Sequence, residues 1–122
     1  MYWRLGNQDA WAADLAMTMK KHGRPERAEA LVAGYQKAKL KGACAAVIEE
    51  LKNESQREYV PPYDMARFYA GIGDRDHTFE FLEKAYAERS GLMEYIKLED
   101  FFEPFHSDPR YIDLLKRMGM PQ

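Results

Sequence analysis

Apolar positions along the chain recur at intervals of three and four, and no stretch alternates convincingly at two, so the pattern predicts helices throughout. The first spans residues 8–21, with Trp11, Leu15, Met19 and His22 on one stripe and the small residues Ala12, Ala16 and Thr18 beside it. Lys20 and Lys21 followed by Gly23 make a stop signal. Pro25 opens a second helix to about residue 40, with Leu31, Val32, Tyr35 and Ala38 facing inward and Gly42 as the break. A third buries Cys44, Val47, Ile48 and Leu51, then turns polar through residues 52–56.

Pro61 and Pro62 end that segment and start a fourth helix, with Met65, Ala66, Phe68, Tyr69 and Ile72 inward and Gly71 and Gly73 closing it. Asp74 is a natural N-cap for a fifth helix carrying Phe79, Leu82, Ala85 and Tyr86, which ends at Ser90 and Gly91. Residues 92–96 predict a turn or two of helix, and residues 100–106 a loop rich in phenylalanine. Asp108 then caps a last helix with proline at its first position, bearing Tyr111, Ile112, Leu115 and Met118.

The pattern repeats. Adding 34 to Leu31, Val32, Tyr35, Cys44, Ile48 and Leu51 gives Met65, Ala66, Tyr69, Thr78, Leu82 and Ala85, each small or apolar. Two helices per 34 residues is the tetratricopeptide signature. The stretch from Met65-Ala66-Arg67-Phe68-Tyr69 through Gly73-Asp74 to Phe79-Glu80-Phe81-Leu82-Glu83-Lys84-Ala85-Tyr86 resembles that family. Residues 59–119 are similar, more narrowly, to the tetratricopeptide tails of bacterial multidomain regulators. The shared elements are Tyr59-Val60-Pro61-Pro62-Tyr63-Asp64, the Glu83 to Ser90 stretch, Phe102-Glu103-Pro104-Phe105, and the Ser107-Asp108-Pro109-Arg110 ending with Leu114-Leu115 and Arg117-Met118-Gly119. None of the catalytic or DNA-binding modules of such regulators accompanies them.

The resemblance implies an all-α fold, a short α-solenoid of antiparallel helix pairs closed by a C-terminal capping helix. As one domain it would comprise a half repeat (8–22), two repeats (25–58 and 59–91) and a cap (92–122). Residues 8–21 then form the second helix of a truncated repeat. A competing register makes Leu15-Ala16 and Gly23 the core and turn of a repeat of its own, with Ala28 in its second helix. The 34-residue correspondence at six positions favours the first.

In such solenoids the first helices line a concave groove. The groove candidates are Glu29, Ala33, Gln36 and Lys37 in one repeat and Tyr63 and Arg67 in the next, with Tyr95 and Lys97 at the far end. Chaperone-binding members of the family grip a C-terminal carboxylate with lysines and asparagines; Glu29, Ala33, Tyr63 and Arg67 stand at the corresponding places, so that clamp is absent. Tyrosine and arginine are nonetheless common anchors at interfaces. The phenylalanine-rich loop reads as cover for the exposed end of the last repeat. At the other end, Trp3 and Trp11 are candidates for contact with a second copy, giving a homodimer; the alternative is that this end packs against sequence that precedes it in a longer chain.

Composition narrows the function class. With 46% hydrophobic and 31% charged residues the chain reads as globular, and a net charge of −2 lacks the basic footprint of a nucleic-acid binder. Lys20-Lys21 and the lysines of residues 37–41 read as helix-end charges. A single cysteine, Cys44, rules out an internal disulfide and a cysteine-based zinc site. No apolar run approaches the roughly 20 residues of a membrane span, and the start lacks a signal-peptide pattern, so a cytoplasmic protein is expected. His22, His77 and His106 fall on separate elements, and no phosphate loop, nucleophile elbow or paired-histidine metal motif is present. The expectation is a non-enzymatic, bacterial adaptor that binds a protein or peptide and needs no cofactor or metal. The alternative is a self-association module.

Overall fold

The computed structural model describes residues 8–120, and among them every regular element is helical. The α-helices are α1 (Gln8–Lys21), α2 (Pro25–Ser55), α3 (Pro62–Gly71), α4 (Arg75–Ala87) and α5 (Pro109–Arg117). Two 3-10 segments, Gly91–Tyr95 and Asp100–Phe105, lie between α4 and α5. The chain divides between Val60 and Pro61 into two compact units, each with its own core.

In unit 1, α2 is two helices in one. Ala38 (φ −149°, ψ 30°) and Lys39 (φ 55°, ψ −137°) break it, and the limbs 25–37 and 40–55 fold back on each other. The reversal is recorded at the open end, where Arg24 bonds Glu58 at 2.7 Å and Arg27 bonds Glu54. Helix α1 runs antiparallel to the first limb, so that Tyr35 near the end of that limb donates a hydrogen bond to Asp9 near the start of α1. The core is Trp11, Ala12, Ala16, Met19, Ala28, Leu31, Cys44, Val47, Ile48 and Leu51.

Several inward assignments change here. Val32 is 42% exposed and Ala38 is also exposed, because the limb turns Ala28, Leu31 and Gly34 inward instead; His22, in the turn after α1, is exposed as well. Gly42 does not mark the break. It lies inside the second limb and lets the backbones meet: a Cβ on Gly34 would stand 2.7 Å from the Gly42 carbonyl carbon and 2.8 Å from the Ala46 Cβ. Backbone cannot give way as a side chain can. Gly34→Ala is therefore expected to cost about 1–3 kcal/mol as an overpacked contact. Thermal unfolding checks it; an unchanged midpoint would mean the limbs do not touch there.

In unit 2, α3 and α4 are antiparallel, with Tyr69 stacked against both His77 and Phe81. Asp74 caps α4 as expected, accepting from the His77 backbone N–H at 3.1 Å, while its second oxygen meets the His77 ring at 2.7 Å. The phenylalanine-rich stretch is two turns of 3-10 helix, not a loop, and Phe101, Phe102 and Phe105 are all buried. Asp108 caps α5 through the Arg110 N–H at 2.8 Å. Helix α5 lies parallel to α4: Asp76 pairs with Arg110 and Glu83 with Arg117, each 34 residues apart.

The 34-residue correspondence survives in burial only in part. Cys44, Ile48 and Leu51 are as buried as Thr78, Leu82 and Ala85, but Val32 and Tyr35 are more open than Ala66 and Tyr69. A different likeness is closer. At Gly23 and Gly73 the chain leaves one helix and enters the next through the same turn. Both glycines have positive φ (76° and 80°), where a side chain would be strained. Gly23 N–H bonds Lys20 O and Arg24 N–H bonds Met19 O; Gly73 N–H bonds Ala70 O and Asp74 N–H bonds Tyr69 O.

Candidate functional site

The groove candidates divide between the units, and each set is placed by its own unit. In unit 1, Glu29, Ala33, Gln36 and Lys37 are all exposed, on the side of the first limb turned away from Leu31 and Gly34. Helical spacing explains the set, since residues three and four apart share a face. Exposed Val32 sits among them and carries the apolar character of the surface. A depression of about 260 Å³ is lined by Lys20, Ala28, Glu29, Val32, Ala33 and Gln36. A second, of about 200 Å³, shares Val32 and Gln36 and reaches Asp9, Ala12, Ala13 and Tyr35. Val32, expected in the core, is thus the apolar centre of the surface, a residue that sequence periodicity assigned to the wrong side.

In unit 2 the two expected anchors are engaged internally. Tyr63 is 2% exposed, its ring edge-on to Phe102 at 5.7 Å, and its hydroxyl donates to Glu99 at 3.4 Å. Burial first, and then the Glu99 charge, hold that phenol protonated far above its usual range. Tyr63 cannot serve as an exposed anchor because the 3-10 segment bearing Phe102 covers it. Arg67 keeps an edge in solvent, but its guanidinium stacks over Phe68 and Phe101 at 5.5 and 5.4 Å. It also lies 3.4 Å from Glu99 and 3.8 Å from Asp64. This cluster ties α3 to the segment that follows α4. Tyr95 and Lys97 are exposed, and Lys97 lines a depression of about 210 Å³ with His106, Tyr111, Ile112 and Leu115.

Of the tryptophans proposed for self-contact, Trp11 is 8% exposed within unit 1, packed on the face α1 turns toward α2, and offers little to a second copy. Trp3 lies outside the described residues. Among the described residues no cluster of three or more histidine, cysteine or acidic side chains could hold a metal ion, and no helix is long and apolar enough to cross a membrane.

Two charged groups escaped sequence reading. Glu54, on the stretch expected to be polar and exposed, is 4% exposed and accepts from Arg27 Nη2 at 2.7 Å and Nε at 3.0 Å. Asp108, beyond its cap role, is buried between Arg75 at 3.1 Å and Arg110 at 3.3 Å. The Arg110 hydrogen bond, offsetting the cost of burial, holds its carboxyl below the usual carboxylate range.

Comparison with known protein families, curated proteins and solved structures returned no match to this chain.

Proposed function

We propose that the chain is a tetratricopeptide-type helical scaffold that binds a protein or peptide on the α1 and first-limb face of unit 1. The observation that carries this reading is the pair of depressions meeting at Val32 and Gln36, an apolar centre with polar edges of the kind partner surfaces use. Glu29 and Ala33 line the first, and Gln36 lines both. The identical turns at Gly23 and Gly73 support the repeat reading, and they favour the register in which α1 and the first limb form a repeat of their own. The parallel α4 and α5, paired 34 residues apart, are what stacking of successive 34-residue units would give. Self-association through Trp11 draws no support from its burial.

A photo-crosslinking amino acid at Gln36 is expected to yield one discrete protein adduct in the source cell. The same group at Asn53, an exposed position on the second limb, is expected to yield none. Equal adducts from both positions, or none from Gln36, would remove this face from consideration.

A further inference from the structure

We propose that the tip of the unit 1 hairpin is a docking site for an acidic peptide segment with apolar side chains between its carboxylates. The proposal rests on the partner-binding reading above and gives that partner a chemistry. Lys37, Lys39 and Lys41 crowd into five residues where the limbs reverse, and all three are exposed. Among the described residues no carboxylate pairs with any of them.

Local electrostatics account for only one of these lysines. Lys37 ends the first limb, where the helix dipole favours a cation. Lys41 sits in the first turn of the second limb, at the positive end of that dipole, where a cation is disfavoured. Lys39 occupies a backbone region (φ 55°, ψ −137°) comfortable only for glycine, with its Nζ 5.2 Å from the Tyr35 ring centre. Two of the three cations are thus placed against local preference beside a third, and a bound anion relieves their mutual repulsion.

Beside them lies a depression of about 300 Å³ whose wall includes Ala30, Ala33, Gly34, Ala38 and Ala46, with Lys37 at its edge. Apart from Lys37 its lining carries only alanine methyls and the close-packed backbone of Gly34 and Gly42, so nothing large fills it. An apolar side chain fits there while neighbouring carboxylates reach the lysines. A polynucleotide fits less well: the depression has no aromatic lining on which bases could stack, and the chain's net charge is −2.

The test is fluorescence anisotropy of the full chain with a labelled ten-residue peptide of alternating glutamate and leucine. A lysine–leucine peptide and a single-stranded oligonucleotide serve as comparisons. The acidic peptide is expected to bind best and to weaken with added salt. Lys37→Gln, Lys39→Gln and Lys41→Gln together are expected to weaken it at least tenfold with helicity unchanged, and the three arginine replacements to retain binding. Ala38→Phe, which fills the depression without altering charge, is expected to weaken it as well. Unaltered affinity in the glutamine variant, or an oligonucleotide bound as tightly as the acidic peptide, overturns the proposal. The Gln36 adduct separates the two failures: if it persists while peptide binding ignores the lysines, this site alone is lost, and if it never forms the scaffold reading itself falls.

Discussion

Phe102→Ala is expected to lower the stability of unit 2 by about 3–5 kcal/mol, the cost of truncating a fully enclosed aromatic side chain. Phe102 is 0% exposed and meets the Tyr63 ring edge-on. Its loss would empty the space between α3 and the 3-10 segment and leave the Tyr63 ring without its partner. The neighbouring Leu98, 78% exposed, provides the contrast. Its alanine variant should stay within about 0.5 kcal/mol of the parent. Urea unfolding followed by circular dichroism distinguishes the two. A Phe102→Ala midpoint close to the parent's would mean that the segment does not cover the helices beneath it.

Glu54→Ala should be comparably severe, about 3–5 kcal/mol, because it removes one side of a buried ion pair and leaves the other charge enclosed without that carboxylate. The Arg27 guanidinium would lose a two-point carboxylate contact while staying largely enclosed by its own unit. Replacing both partners, Glu54→Leu with Arg27→Met, should recover most of the loss, since neither charge remains. Acidity should read out the same contact. Burial pushes the Glu54 carboxyl up, but the hydrogen bonds and charge of Arg27 more than offset it, so it lies below its usual 4.5. Its stabilising contribution is therefore complete above that value and is lost as pH falls through the folded-state value. Glu50 acts in the opposite sense. Burial, then its hydrogen bond to Glu54 and that residue's charge, raise its carboxyl, so unit 1 gains stability as pH falls through Glu50 toward 4.5. Thermal midpoints from about pH 7 to about pH 3 should rise slightly and then drop. In Glu54→Ala the late drop should shrink; a drop of unchanged size would assign acid sensitivity elsewhere.

What could be read from the sequence was local. Proline starts at Pro25 and Pro62, the aspartate caps at Asp74 and Asp108, and the turns at Gly23 and Gly73 depend on neighbours within a few positions, and they stand as expected. The buried phenylalanines before α5 could be anticipated because so many large apolar rings must be covered. The hairpin tip could not. Its sequence offers Gly42 as the obvious break, yet that glycine is used for the close approach to Gly34, and the reversal falls on a lysine. Glu54 was hidden because its burial depends on an arginine 27 residues away, and Tyr63 because the group that accepts its hydroxyl is 36 away. Periodicity says that a residue faces something, not what. On the candidate surface it erred the other way, assigning to the interior a valine that lies at the outer centre.

The short reach of these pairings bears on how the molecule is made. The longer-range side-chain hydrogen bonds named above join positions within each unit, from 26 apart for Asp9 and Tyr35 to 36 for Tyr63 and Glu99. The loops to be closed are small, and low contact order favours rapid folding. On a ribosome, the partners that complete unit 1, from Asp9 with Tyr35 to Arg24 with Glu58, are all synthesised before α3 begins. The chain can therefore settle its first core during synthesis, with little time for the apolar face of α1 to meet other nascent chains.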